Sequence, residues 1–120
     1  MEPLFVDKNQ NTFKMESEMN SMGGVWRFVL NGETAAYCWC EAGPYSTWIL
    51  NDLSVRSENR RLGLGTELVK HVAASLLSLN AKALSCSLSP EDIQNYPNLE
   101  QWFADRGFTS VSPGRMRMAF

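Results

Sequence analysis

The sequence has few of the features that disulfide-rich, membrane-spanning or exported proteins need. It contains one histidine, His71, and three cysteines, an odd number that argues against a disulfide framework and predicts reduced thiols. Its most apolar stretch, residues 72–79, is interrupted by two serines and is far shorter than the roughly 18 residues that a membrane-spanning helix needs. No targeting segment is recognisable. We therefore expect a cytoplasmic protein that does not act in a membrane.

Positive charge is not in excess either. Eleven lysines and arginines against thirteen aspartates and glutamates give a formal net charge of −2, which argues against direct nucleic-acid binding through the phosphate backbone. The chain has 120 residues, of which 44% are hydrophobic and 11% aromatic. This length and composition predict a single domain, residues 1–120, whose core needs neither disulfides nor metal.

Cys38 and Cys40 form the only pattern that resembles part of a metal site. No second cysteine pair is present, and His71 is distant along the chain. A spacing of two residues places both side chains on one face of a strand, which explains the pair without a ligand. We therefore predict no metal site, and we expect Cys86 to contribute to packing.

The first half of the chain shows the alternation typical of strands. Residues 12–19 alternate with period two. Residues 26–30 and 34–40 flank Asn31-Gly32, a dipeptide that strongly indicates a hairpin. Residues 47–55 form the next predicted strand, and their mixed apolar and polar run indicates a central position.

The second half begins with a change of period. An apolar stripe at helical spacing predicts an α-helix over residues 65–79, with His71 on its polar face. The residues of this stripe are Leu68, Val69, Val72, Ala73, Leu76 and Leu77. A buried strand is predicted over residues 81–88.

Two further helices and a last strand follow. A short helix is predicted over residues 90–95, after Ser89 as N-cap. A second one over residues 99–106 has Asn98 as N-cap and Gln101 in the position of a capping box. Residues 109–120 form the last predicted strand. This order of elements predicts an α+β domain with a mostly antiparallel sheet.

Residues 53–66 carry the pattern that points to chemistry. They run from a strand through a short basic loop and two glycines, Gly63 and Gly65, into a helix. Glycines remove Cβ atoms where a ligand approaches the backbone, and the free N–H groups of a helix N-terminus attract anions. With Arg56, Arg60 and Arg61 alongside, the segment is predicted to bind phosphate or pyrophosphate.

Three phosphate-binding motifs can be compared with this segment. A Walker loop requires Gly-Lys-Ser/Thr, but Thr66 follows Gly65. A dinucleotide-binding fingerprint requires a small residue where Leu68 stands and an acid about 20 residues further on, where the sequence has none. The remaining pattern, Arg60-x-x-Gly63-x-Gly65 after a strand, resembles motif A of the GNAT superfamily of acyl-CoA-dependent N-acyltransferases.

The resemblance covers about residues 48–108. The strand phrase of residues 51–55 lies at the right distance upstream of the motif, and an amphipathic helix follows it. Residues 102–108 look like the family's late helix and its terminal Gly-Phe. The early strands fit the family's order but carry no identifying motif.

The resemblance implies a GNAT-like fold. In this fold a mixed, mostly antiparallel sheet has flanking helices, and its central strand splays from a neighbour at a bulge. Since no helical pattern precedes Trp26, the family's N-terminal helices are expected to be reduced or absent. We then expect an acceptor face that is open, or that a second subunit closes in a homodimer.

The resemblance also implies which residues bind acetyl-CoA as co-substrate. The backbone of Leu53 and Val55 would bond the pantetheine and acyl group, and the amides of residues 61–66 would hold the pyrophosphate. The implied cofactor-binding residues are Leu53, Ser54, Val55, Arg60, Arg61, Leu62, Gly63, Leu64, Gly65 and Thr66.

The chemistry of the family implies direct attack of a neutral amine on the acetyl thioester. The backbone N–H of Val55 would donate a hydrogen bond to the developing oxyanion. Asp52 and Glu41 are the candidate bases. Many relatives carry a tyrosine four residues before the late glycine to protonate the leaving thiolate, whereas this sequence has Phe103. Either Tyr96 or water substitutes, or the thiolate leaves unassisted, or the activity is weak.

The sequence thus predicts an N-acetyltransferase that uses acetyl-CoA and a primary amine. The amine is a protein lysine or N-terminus, or a small molecule. The alternative is a catalytically weak or inactive module of the same fold that binds acyl-CoA or a protein partner. Phe103 is the residue that supports the alternative.

Overall fold

A computed structural model describes residues 4–120. Over this range the chain forms eight strands and three α-helices. The strands are β1 (Leu4–Val6), β2 (Thr12–Met19), β3 (Gly23–Leu30), β4 (Glu33–Ala42), β5 (Thr47–Val55), β6 (Ala83–Ser87), β7 (Thr109–Ser112) and β8 (Arg115–Ala119). The helices are α1 (Leu64–Ser78), α2 (Pro90–Asn95) and α3 (Leu99–Ala104), with short 3-10 turns at Pro44–Ser46 and Ser57–Asn59.

All eight strands belong to one sheet with the order β1-β2-β3-β4-β5-β6-β8-β7. Every neighbouring pair is antiparallel except β5 and β6, which α1 connects as parallel strands. The predicted α+β fold with a mixed, mostly antiparallel sheet is therefore confirmed. Within residues 4–120 the first α-helix is α1, so the N-terminal helices are absent there as predicted.

The predicted hairpin between β3 and β4 is present. Asn31 and Gly32 both have positive φ values, +52° and +80°, which are the values that a two-residue turn between twisted antiparallel strands requires. At the sheet edge, β1 and β2 are joined by a turn around the buried Asp7. Its carboxylate accepts hydrogen bonds from the backbone N–H groups of Asn9 and Asn11.

Helix α1 packs its apolar face on β3, β4 and β5. Its buried residues are Leu64, Leu68, Val69, Val72 and Leu76. The prediction for Leu77 was wrong, because this side chain is 58% exposed. His71 is also less exposed than predicted, because it is half-buried. The centroid of its ring lies 6.2 Å from that of Phe28, and the two rings are nearly perpendicular.

The C-terminal segment differs from the prediction of a single strand. It forms a hairpin in which β8 lies between β6 and β7. The chain turns at Pro113, which has no N–H to donate, and at Gly114, which has a φ of +76°. A Cβ at Gly114 would lie 2.9 Å from the carbonyl oxygen of Leu88, so only glycine fits there.

Helix α3 begins at Leu99 as predicted, but it ends at Ala104 and not at residue 106, and it lacks the predicted cap. Asn98 makes no side-chain cap hydrogen bond, because its φ and ψ of −98° and 15° are not the extended values of a capping residue. Gln101 donates instead to Asp105. The capping box lies at α2, where Ser89 and the third helical residue exchange hydrogen bonds.

Over β2 to β5, the sheet face away from α1 is open to solvent. Buried side chains of these strands belong to one core on the α1 side. The side chains that alternate with them are exposed or half-buried, as at Arg27, Tyr37 and Trp39. No helix within residues 4–120 is long and apolar enough to cross a membrane.

Candidate active site

Strand β5 contains a bulge at Asn51. In the register of β4 and β5, Trp39 lies opposite Asp52 and Cys40 lies opposite Leu50, which leaves Asn51 without a partner. An extra residue of this kind bends the strand and interrupts the ladder of hydrogen bonds.

The bulge shifts by one residue the alternation of β5 side chains between the two faces of the sheet. Trp48 and Leu50 are buried before it, and Leu53 and Val55 pack against the same core after it. Because side chains alternate along a strand, both pairs can face the core only if one extra residue separates them. The bulge therefore turns Asp52 towards the open face of the sheet.

Strands β5 and β6 separate at the bulge. Their parallel pairing ends at Leu50 and Cys86, and β5 continues to Val55 with only β4 beside it. The gap widens into a cleft of about 1100 Å³, which residues of α1, α2 and α3 also line. The splayed central strand predicted from the sequence is present.

Most of the predicted site residues line this cleft. Of the predicted cofactor-binding residues, those that line it are Leu53, Ser54, Val55, Arg60, Arg61, Gly63, Leu64, Gly65 and Thr66. Leu62 does not line it. Of the candidate catalytic residues, Asp52 and Tyr96 line it, whereas Glu41 lies outside.

The first turn of α1 opens onto the cleft. Its N-cap, Gly63, has a φ of +87° and no side chain, so no capping group covers the turn. The first N–H groups of a helix have no intrahelical partner and carry partial positive charge. These groups and the side chains of Arg60 and Arg61 are therefore arranged to take an anion.

Gly65 lines the cleft and also has a packing role that the sequence did not indicate. A Cβ at this position would lie 3.1 Å from the indole ring of Trp102, so the missing side chain lets α3 pack on α1. Gly63 differs, because a Cβ there would meet only Phe5, at 3.6 Å. Its requirement for glycine comes from the positive φ.

Arg56 does not belong to the predicted anion site. Its guanidinium contacts Glu33 at 3.0 Å and Glu58 at 2.9 Å, and the residue is not part of the cleft lining. The hydrogen bond to Glu33 and the charge of Glu58 raise the pKa of Arg56. Two carboxylates compensate this arginine: Glu58 is two residues further along the chain, whereas the sequence pattern gives no sign of Glu33.

Arg106 lines the cleft and was not singled out by the sequence. Its Nε donates to the hydroxyl of Thr66 at 2.9 Å, and its Nη1 donates to the carbonyl oxygen of Trp102 at 2.8 Å. The guanidinium also stacks on the Trp102 ring, 3.8 Å from its centroid. Arg106 therefore ties α3 to the first turn of α1, and the four-residue spacing from Trp102 was the available signal.

Comparison with known proteins identifies the family. The sequence model of the acetyltransferase (GNAT) family matches residues 2–98. The chain belongs to the GNAT acetyltransferase family. No curated protein sequence matches it.

Solved structures share the GNAT fold with this chain. The GNAT domain of S. lividans PAT has a TM-score of 0.77 and 13% identity, with 99% of this chain and 96% of that chain covered. A GNAT acetyltransferase from Staphylococcus aureus has a TM-score of 0.72 and 15% identity, covering 83% and 69%. A Bacillus subtilis acetyltransferase in complex with CoA has a TM-score of 0.67 and 13% identity, covering 82% and 78%.

Asp52 is held in place by a tyrosine that the sequence did not point to. The hydroxyl of Tyr37 donates to Asp52 Oδ2 at 2.5 Å. This hydrogen bond, together with burial and the charge of Asp52, raises the pKa of Tyr37. Tyr37 is therefore the donor, and among residues 4–120 no hydrogen bond reaches the second oxygen of Asp52, a residue that lines the cleft.

The late helix offers no proton donor at Phe103. This residue is 3% exposed. The centroid of its ring lies 5.0 Å from the ring centroid of Trp102 and 5.2 Å from that of Phe108. Tyr96 lies at the end of α2, is half-exposed and lines the cleft. It is a phenol within the cleft, whereas Phe103 supplies packing alone.

The cysteines lie in the core as the strand pattern predicted. Cys38 and Cys40 are buried with their sulfur atoms 3.8 Å apart. Burial raises the pKa of Cys86 to about 12, so this thiol remains protonated although it lines the cleft. Among residues 4–120, no three His, Cys, Asp or Glu side chains are grouped to hold a metal ion.

Proposed function

We propose that this GNAT protein is an N-acetyltransferase that transfers the acetyl group of acetyl-CoA to a primary amine. The observation that carries the proposal is the cleft, which joins the splayed end of β5 to the uncapped first turn of α1. An extended backbone beside an anion-binding turn suits a ligand with an amide-bearing arm and a pyrophosphate.

The residues of the cleft fit acetyl-CoA. The turn at Gly63 leaves the amides of residues 64–66 available for phosphate, with Arg60 and Arg61 adding charge. The backbone of Leu53 and the N–H of Val55 lack a neighbouring strand on the β6 side and are available to amide groups, whereas the carbonyl oxygen of Val55 accepts a hydrogen bond from Nε of Arg60 at 3.1 Å. In the solved Bacillus subtilis relative, CoA is bound, and this supports the same ligand here.

The acceptor side of the reaction is assigned to Asp52. An ammonium group gives one proton to the free oxygen of this carboxylate and becomes a nucleophilic amine. As the C–N bond forms and the C–S bond breaks, the N–H of Val55 stabilises the oxyanion. One such donor contributes about 3–4 kcal/mol to the transition state. Glu41 lies outside the cleft, so we place the base at Asp52.

Tyr96 is the proposed donor to the leaving sulfur. Tyr96 gives its proton to the sulfur as the C–S bond breaks, and the second proton that nitrogen loses as the amide forms restores the phenol, so the products are an amide and a free thiol. Phe103 favours the second candidate function, a module of this fold that binds acyl-CoA and transfers poorly. The acceptor is a primary amine on a small molecule, a protein lysine or a protein N-terminus.

Calorimetry and a thiol-release assay test the proposal together. We expect acetyl-CoA to bind, and thiol to be released when an alkyl amine is added. Arg61→Ala should weaken acetyl-CoA binding by roughly tenfold, or about 1.4 kcal/mol, because it removes one of the positive charges that would attract the pyrophosphate.

Lys70→Ala is the matched control, since Lys70 is 69% exposed on α1 and pairs with Glu67. It removes the same charge outside the cleft and should leave binding unchanged. Absence of acetyl-CoA binding to the unmodified protein would refute the proposed function. Binding without thiol release would instead support the non-transferring module.

A further inference from the structure

Tyr37, Trp39 and Asp52 form an aromatic and acidic corner on the open face of the sheet. Trp39 lies directly opposite Asp52 in the β4–β5 register, a relation that places the two Cβ atoms about 4.5–5.5 Å apart. Tyr37, two residues along β4, donates to Asp52. Asp52 also lines the cleft, so the corner adjoins the site proposed for the acetyl group.

The exposure of Trp39 sets it apart from the tryptophans of the core. Trp26 is 1% exposed and Trp48 is 6% exposed, whereas Trp39 is 46% exposed. Its neighbours along β4, Cys38 and Cys40, are fully buried on the opposite face. An indole ring is the best aromatic surface for a cation, and it is available here beside a carboxylate.

The electrostatics of the corner favour a cation. One oxygen of Asp52 accepts a hydrogen bond from Tyr37, and within the described range the other has no hydrogen-bond partner. Glu41, on the same face of β4 as Trp39, adds a second exposed carboxylate. Arg27 lies opposite Tyr37 but contacts Glu16 and Glu18, and among residues 4–120 no ion pair joins a basic side chain to Asp52.

We propose that Trp39 and Asp52 form the binding site for the acceptor's ammonium group, and that the acceptor is an unbranched alkylammonium with no anionic group near its nitrogen. The inference rests on the proposed function and specifies its acceptor. The indole face and the carboxylate attract the cation from two sides, while Tyr37 holds the carboxylate. A free α-amino acid is disfavoured, because its carboxylate would lie close to Asp52 and Glu41.

The open face leaves two sources for such a group, a small alkyl amine or a lysine side chain of a peptide. n-Butylamine and an Nα-acetyl-lysine amide present the same ammonium, and glycine and alanine serve as α-amino acid comparators. Turnover of either of the first two at a higher kcat/KM than the amino acids supports the inference and identifies the source. A preference for the α-amino acids would overturn it.

Charge recognition is measured separately from turnover. Choline carries a quaternary nitrogen that cannot be acetylated, and 3,3-dimethylbutan-1-ol is its uncharged isostere. We expect choline to inhibit competitively against the amine, and to perturb indole signals in NMR spectra of the protein with or without CoA. Equal effects of the uncharged isostere would contradict a cation site.

The variant Trp39→Leu removes the aromatic face and keeps an apolar side chain. It should raise KM for the amine and weaken choline binding by roughly 5- to 30-fold, with KM for acetyl-CoA unchanged. Tyr45→Leu is the matched control, because Tyr45 is 91% exposed at a turn away from the cleft. It should change neither value.

These outcomes separate the inference from the proposed function. If acetyl-CoA binds and amines turn over, but Trp39→Leu leaves KM for the amine unchanged, the inference fails and the proposed function stands. If acetyl-CoA does not bind, the proposed function fails, and choline binding to the protein alone still decides whether the cation site exists.

Discussion

Gly63 and Gly32 share a left-handed backbone conformation, but only Gly63 lies in the cleft. Their φ values are +87° and +80°. An added Cβ meets no atom within 4 Å at Gly32 and only Phe5, at an ordinary 3.6 Å, at Gly63. An alanine at either position is therefore strained by its backbone and not by packing, so the two sites form a matched pair.

We expect Gly63→Ala and Gly32→Ala each to lower the free energy of unfolding by about 1–2 kcal/mol, the cost of a left-handed L-residue. Only Gly63→Ala should weaken acetyl-CoA binding, because Gly63 is the N-cap of α1 and relief of its strained φ would shift the N–H groups that would hold the phosphates. Urea denaturation and calorimetry measure the two effects. Equal acetyl-CoA affinities for the two variants would contradict an anion site at Gly63.

At the scale of single residues, the sequence showed which residue types lie near the site, but not which side chains they contact. The arginines after β5 were recognisable as a basic cluster, but Arg56 is compensated by Glu33, which is distant in sequence. Arg106 reaches Thr66 across 40 positions of the chain. Contacts of this kind depend on tertiary packing, which no local spacing encodes.

Among the elements, α1 shows how periodicity predicts a buried face and where it fails. The stripe located five buried side chains, but it also included Leu77, which is 58% exposed, beside Leu76, which is 0% exposed. Adjacent helical positions differ by about 100° around the axis, so only one of the two leucines can face the sheet.

The adjacent leucines allow a direct test of this orientation. Leu76→Ala should lower the free energy of unfolding by about 2–5 kcal/mol, because it leaves a cavity in the core. Leu77→Ala should change it by no more than about 0.5 kcal/mol. Urea denaturation of both variants measures the difference, and similar losses would show that α1 is rotated from the described orientation.

Strand β5 marks the limit of pattern recognition at the element scale. Its bounds were predicted correctly, but the bulge at Asn51 breaks the alternation on which the prediction relied. Apolar residues at 48, 50, 53 and 55 contain the signal, since their spacing changes from two to three. The insertion of β8 between β6 and β7 had no comparable signal, because strand order depends on pairing between distant segments.

In the molecule as a whole, all the buried apolar side chains of β2 to β5 lie on the α1 side, and the other face remains open. That face carries six charged residues, namely Lys14, Glu16, Glu18, Arg27, Glu41 and Asp52. A homodimer that closed it would remove these charges from water, at a cost that ion pairing seldom recovers. It would also cover Trp39, which the proposed acceptor site requires to be accessible.

We therefore expect the chain to be a monomer. Light scattering should give a mass of 13.5 kDa at all protein concentrations from micromolar upwards, with and without acetyl-CoA. The interface of a specific dimer buries about 1,600 Å² and has a core depleted of charge, whereas the residues beside Trp39 on this face include Asp52 and Glu41. A mass twice this value, together with loss of iodide quenching of Trp39, would show that a second copy closes the face. The acceptor would then have to enter through the dimer interface.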